Sequence, residues 1–234
     1  MEAQVQQIYP VVFTNEEQKR VINCDNINNK KCYYCETVVK HITELREDVT
    51  QVRYIKNSKD NMNKGDIKYK KGQDKQFRFI EVKHGTIFNN KNKACIDYLY
   101  TKTYSNGTAI YRQPKGLDKA WFYCEYERIA FVFKDKVYFI YWSYLVNEIY
   151  KCIEDSKHKY NNKQEFLNDW CTTRREFYIA PGLTGSIKDS NKNYDTFIIN
   201  VDLDTFLSEH NIPVTAINYK VFNMSDVIQQ VIFQ

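Results

Sequence analysis

The chain has 234 residues and a mass of 28.0 kDa, with 43% hydrophobic and 27% charged residues. That suits one compact domain, or a domain with an appendage, and excludes both a small stapled peptide and a large multidomain assembly. The opening MEAQVQQIYPVVFTNEEQKR lacks a basic start followed by an apolar run, and no stretch approaches the roughly 18 apolar residues that cross a bilayer, so neither export nor a membrane partner is expected. Seven cysteines, an odd number, do not form a secreted disulfide framework and point to a reducing intracellular compartment, the cytoplasm first.

In chain order, Asn15-Glu16-Glu17-Gln18 reads as a capped helix start that continues to Val21. The polar runs at 26–31 and 57–64 read as loops, because they cannot bury enough apolar surface to order themselves. A second helix is expected within 35–47, where Val38, Val39, Ile42 and Leu45 fall on one face. Strands are expected at 51–55, 66–71 and 77–83, a helix at 93–102 and a strand at 108–112. The runs 128–133 and 136–142, separated by Lys134-Asp135, form the clearest hairpin, and their alternating aromatics are expected to fill the core. Helices at 144–157 and 164–171, a strand at 196–201 and strand or helix pieces from Asn218 onward complete the pattern. The class is α/β (α+β), a mixed central sheet flanked by helices. We expect an N-terminal extension over 1–34, a core over 35–157 and a C-terminal extension over 158–234 packed on the same domain.

The formal net charge is +5. Between Lys56 and Lys93, however, eleven basic residues face four acidic ones, so this window carries +7 and the rest of the chain −2. Such a local basic excess points to a polyanion.

Within that window, strand-like runs flank the loop Gly72-Gln73-Asp74-Lys75. A hairpin centred between Gln73 and Asp74 places Asp66 directly across from Glu81, and opposed residues share a face. Lys83 points to the same face, while Ile80 and Val82 point the other way. Two carboxylates so close repel unless a cation lies between them. Hard oxygen ligands with open water positions suit Mg²⁺ or Mn²⁺, and an adjacent lysine can orient an attacking water or stabilise pentavalent phosphorus.

Asp66, followed by Phe79-Ile80-Glu81-Val82-Lys83, preceded by the helix around Val38 and followed by mixed strands and helices, resembles the PD-(D/E)XK nuclease superfamily, which includes restriction endonucleases and Holliday-junction resolvases. The resemblance implies a restriction endonuclease-like core over 35–157. It also implies Asp66 and Glu81 as metal ligands, the Val82 carbonyl as a further ligand, and Lys83 as the catalytic lysine. The chain departs from the signature where Gly65, not proline, precedes Asp66. A later stretch, 113–123, is loosely similar to a segment of some members. Some members add a helix carboxylate; Glu36 and Glu44 lie off the apolar face of their helix and neither is assigned.

Acid-x-lysine triplets occur at Glu17, Asp66, Glu81 and Asp155, and a solvated charged hairpin is the bland alternative. Only Glu81-Val82-Lys83 closes an apolar strand and has an aspartate alongside. Cys24, Cys32, Cys35 and His41 suggest a tetrahedral zinc site, yet Cys35 and His41 are six residues apart on one helix and do not converge. His84, His158 and His210 have no nameable partner in the sequence. Lys64, Lys68, Lys70, Lys71, Lys75 and Arg78 are expected to contact phosphates, with Arg174-Arg175 extending that surface. The expected function is a Mg²⁺- or Mn²⁺-dependent endonuclease, acting on DNA in preference to RNA, with a homodimer as the simplest way to cut two strands. The alternatives are an RNA endonuclease with the same site, or a catalytically inactive nucleic-acid-binding module.

Overall fold

Thr14 opens the first helix through a capping box. Its hydroxyl accepts from the Glu17 N–H at 3.3 Å, and the Glu17 carboxylate accepts from the Thr14 N–H at 3.0 Å. The cap therefore sits one residue before the expected Asn15. The computed structural model describes residues 8–55, 64–84, 93–103, 109–112, 126–145, 147–148, 177–181 and 193–222. The chain divides into two compact units, one of Met1–Asn90, Tyr126–Ser143 and Pro213–Gln234, the other of Lys91–Glu125 and Tyr144–Ile212.

The first unit contains β1 (Ile8–Val12), α1 (Asn15–Ile22), α2 (Ile27–Glu44), β2 (Val49–Tyr54), β3 (Ile67–Lys71) and β4 (Arg78–His84). The second contributes β5 (Lys93–Thr103) and β6 (Ala109–Arg112), after which the chain returns to the first for β7 (Arg128–Val132) and β8 (Lys136–Tyr141). The second unit then adds β9 (Phe177–Pro181), β10 (Asn193–Asp202) and α3 (Leu203–His210), and β11 (Val214–Phe222) belongs to the first.

The first unit is a seven-stranded sheet in the order β1-β11-β8-β7-β4-β3-β2. The pairs β4–β7 and β1–β11 are parallel and the others antiparallel, so the sheet is mixed. One face is covered by α2, whose Tyr34, Cys35, Val38, Val39 and Ile42 pack with Ile67, Tyr69, Ile80, Val82, Ala130, Val137 and Phe139 in a single buried cluster. Alternation along the strands selects this set and turns Glu81, Ile129 and Phe131 to the other face. Phe131, Phe133, Tyr138 and Phe139 are all buried, as their alternation suggested.

Two expectations change. The run at 26–31 is not a loop: Asn26 caps α2 by accepting from the Asn28 N–H at 2.8 Å, and the helix begins at Ile27. An apolar stripe anchored from Tyr34 to Ile42 carries a polar first turn with it, so composition alone misplaced the boundary. The segment expected as a helix over 93–102 is the strand β5, paired antiparallel with β10 from Lys93 to Thr103 with one register shift at Tyr98. Its helix propensity yields to long-range pairing.

The second unit is a four-stranded antiparallel sheet, β6-β5-β10-β9, with α3 following β10. Asn211, at φ 50°, ends α3 in the left-handed conformation that asparagine tolerates. Residues 142–145 and 147–148 are helical where the 144–157 helix was expected; the rest of it, the 113–123 and 164–171 segments, His158, Arg174 and Arg175 lie outside the described residues.

Candidate active site

The β3–β4 hairpin pairs Ile67 with Ile80, Lys68 with Phe79 and Tyr69 with Arg78, which is the register read from the sequence. Just before β3 the Asp66 N–H donates to the Ile80 carbonyl at 3.0 Å, and the Asp66 carboxyl lies within electrostatic reach of Glu81. The regular ladder ends at Ile67, and the next donor on β4, the Val82 N–H, would go unpaired. It donates to Asp66 Oδ2 at 2.8 Å, so the Asp66 side chain takes over from the β3 backbone and is fixed against the end of the strand.

Gly65 makes this approach possible. Its φ is +90°, and a Cβ there would lie 2.6 Å from the Ile80 carbonyl oxygen. Neither proline nor any other L-residue fits that conformation without strain. Gly72, at φ +45°, has open space around it. Gly65→Ala is therefore expected to lower unfolding stability by about 2 kcal/mol or more, and Gly72→Ala by about 1 kcal/mol. Urea titration of the two variants checks this, and equal losses would contradict the close approach.

Glu81 is buried and Asp66 half-buried within a charged neighbourhood. Burial first, then the negative charges of Glu81 and Glu36, push the Asp66 carboxyl up to about 8. Lys83 Nζ stands 2.5 Å from Glu81 Oε1. Glu36 on α2 is also raised, by burial first, opposed by Arg20, and raised further by Glu81. Arg20 holds it at 2.7 Å while stacking on Tyr33 and Tyr54, with its guanidinium carbon 4.1 and 4.4 Å from the two ring centroids. The Cys32 thiol, one turn before Glu36, is raised by burial and then by Glu36 and Asp66. Glu36 thus belongs electrostatically with Asp66 and Glu81. Sequence reasoning left it unassigned because the apolar stripe defines only the centre of the buried helix face, and Glu36 lies on its flank. Glu44 instead pairs with Lys40 at 2.9 Å.

The raised Asp66 carboxyl has a consequence for stability. In the absence of metal the folded chain keeps this proton up to about pH 8, whereas the unfolded chain releases it near 3.8. The folded state therefore binds more protons across that interval, and the stability due to Asp66 falls as pH rises through it. In chelating buffer, thermal melts are expected to show the wild type losing ground to Asp66→Asn between about pH 4 and 8. Parallel pH profiles for the two proteins would contradict the raised carboxyl.

The six basic residues expected at phosphates separate between the two sheet faces. Lys68 and Lys70 lie on the Glu81 face, each ammonium over the Phe77 ring at 4.9 and 4.8 Å, and Lys64 lies 5.7 Å from the Phe79 ring centroid. Lys71 pairs with Asp48 at 3.2 Å. Arg78, opposite the core residue Tyr69, pairs with Asp74 at 2.9 Å and Glu127 at 3.1 Å, and these hydrogen bonds hold its proton more tightly than usual. Lys75 is exposed on the loop.

The cysteine–histidine set does not come together. Cys35 is fully buried, its thiol raised well above the ordinary range by burial, and His41 Nε2 lies 2.8 Å from Glu17 Oε2. Among the described residues, no group of three or more His, Cys, Asp and Glu side chains is arranged to hold a metal ion. Among those residues, too, no helix is long and apolar enough to cross a membrane. Comparison of the chain with protein-family models, curated proteins and solved structures finds no match.

Proposed function

We propose that this protein is a divalent-metal-dependent endonuclease with a restriction endonuclease-like core, acting on DNA in preference to RNA. The observation that carries the reading is the set of contacts at the end of the β3–β4 hairpin: the Asp66 carboxylate accepts from the Val82 N–H, feels the charge of Glu81, and Glu81 pairs with Lys83. Further support comes from the order of elements, a helix, a three-stranded meander and then a strand returning parallel to β4.

The donor set fits a hard cation. The negative charge of buried Glu81 raises the proton affinity of half-buried Asp66, a repulsion that a cation relieves, and Mg²⁺ accepts one or two carboxylates with water filling its other positions. Bound there, Mg²⁺ or Mn²⁺ would supply charge for a phosphodiester oxygen and acidify a coordinated water. Asp66 and Glu81 hold and orient it, with the Val82 carbonyl as a further donor. Lys83 Nζ, released from Glu81, donates to the oxygen of the attacking water or to the phosphoryl oxygens on which negative charge develops. The Asp66–Val82 hydrogen bond fixes one ligand before substrate arrives. Lys64, Lys68 and Lys70 attract phosphates towards carboxylates that would otherwise repel them.

Nicking of supercoiled plasmid by the purified protein tests the reading. Cleavage is expected with Mg²⁺ or Mn²⁺ and not in chelator, and Glu81→Gln should lose it. Parallel assays on DNA and RNA of one sequence establish the substrate, and cleavage that persists in chelator would overturn the proposal.

A further inference from the structure

Beside Asp66 and Glu81, the same sheet face carries two aromatic rings among ammonium groups. Phe79 precedes Glu81 by two residues on β4, so strand alternation directs both to one side, and Phe77 lies two residues earlier, just before the strand begins. Lys68, paired across the ladder with Phe79, has its ammonium over the Phe77 ring, which places that ring on the same face. Both rings are half-buried, neither sealed in the core nor fully exposed. Lys68 and Lys70 stand over one and Lys64 over the other, at 4.9, 4.8 and 5.7 Å. Other basic residues of the window, Lys71 and Arg78, are taken up by carboxylates. On the Phe77–Phe79 face, Lys83 pairs with Glu81, and Lys64, Lys68 and Lys70 are set against the aromatic rings.

We propose that this face is a stacking platform for unpaired nucleic acid, so that the substrate is a single strand or a single-stranded segment of a larger structure. The inference deepens the endonuclease reading and rests on it for the choice of nucleic acid as ligand. A duplex offers phosphates on its outside and hides its base faces in the stack. Lysines alone would serve such a surface, and aromatic rings would add nothing. An unpaired strand exposes base faces, and ring plus cation is the chemistry that takes base and phosphate together. Spacing agrees as well: residues two apart on a strand are separated by about 6.6 Å, close to the step between nucleotides in an extended strand. One base on Phe77 and the next on Phe79 would lead the following phosphodiester to Glu81. The ammonium groups over the rings are held by weak contacts and can move to the phosphates as bases replace them.

Fluorescence anisotropy in chelator, where cleavage cannot interfere, tests the platform. The probes are a labelled oligothymidylate, an oligouridylate and a blunt DNA duplex of equal length. The full chain is expected to bind the single strands more tightly than the duplex. Phe79→Ala and Phe77→Ala are each expected to weaken single-strand binding by about 5- to 150-fold, the range for losing one base stack, with little change for duplex. Phe79→Tyr should bind as the wild type does. Because truncation of a half-buried ring can disturb the hairpin, Phe79→Trp gives a second readout: the emission of the introduced indole should be quenched by oligothymidylate and not by duplex. Preference for duplex, unchanged single-strand binding by both alanine variants, or unquenched indole emission from the Phe79→Trp protein with oligothymidylate bound would overturn the platform. Single-strand binding with these signatures but no metal-dependent cleavage would leave the platform standing and overturn the endonuclease reading. Failure to bind any of the probes would overturn both.

Discussion

Lys83→Ala is expected to reduce metal-dependent cleavage by about 10²- to 10³-fold, the usual cost of removing a preorganised charged donor at a reacting centre. The Lys83 side chain is a third exposed and sits at the end of β4, paired with a largely buried Glu81. It therefore reaches solvent, where a phosphodiester would arrive, while its stem continues the strand. Lys83→Arg should recover little, because a planar fork does not reproduce a compact ammonium. Asp66→Ala should lose as much or more, since it removes a ligand and leaves the Val82 N–H without its acceptor. Circular dichroism melts separate lost chemistry from lost folding. A Lys83→Ala protein that is folded and cleaves at the wild-type rate would remove lysine from the mechanism.

Glu17→Ala is expected to destabilise the first unit by about 3 kcal/mol, within the range for leaving charged partners uncompensated. Glu17 is only 7% exposed and joins α1, α2 and β2. Its carboxylate accepts from the Thr14 N–H, faces His41 Nε2 at 2.8 Å and Lys40 Nζ at 3.1 Å, and accepts from the Tyr54 hydroxyl at 3.2 Å. Burial pushes this carboxyl up, but the hydrogen bonds and charge of His41, the Thr14 N–H and Lys40 outweigh it and hold the group well below the usual carboxylate range. The stability it contributes is present above its ordinary value of 4.5 and lost as pH falls below it. Chemical denaturation should show the gap between wild type and Glu17→Gln narrowing as the solution is acidified. A gap independent of pH would mean that Glu17 acts through packing and not through charge.

Several parts of this fold were legible because they are local. The loop Gly72-Gln73-Asp74-Lys75 fixes the β3–β4 register, so the pairing of Ile67 with Ile80, Lys68 with Phe79 and Tyr69 with Arg78 follows from counting along a hairpin. The β7–β8 hairpin and the apolar stripe of α2 are equally self-contained. The parts that escaped depend on distant partners. Val11 gives β1 little signal of its own, because β1 acquires its place by pairing in parallel with β11 across nearly the whole sequence. The strand β5 resembles a helix until β10 is set beside it. Glu36 could not be assigned from periodicity, since its relevance comes from how α2 is rotated on the sheet. The basic window was visible as composition, but only the strand faces separate Lys68 and Lys70, beside the aromatic rings, from Lys71 and Arg78, engaged by carboxylates.

The central claim is that Asp66 and Glu81 together hold a divalent cation, and its most direct test is anomalous scattering from a crystal of the full chain grown with Mn²⁺. An anomalous peak between the two carboxylates, lost in Asp66→Asn crystals grown under the same conditions, is the result this account predicts. A wild-type crystal saturated with Mn²⁺ that shows no peak there, with Lys83 still paired to Glu81, would contradict it.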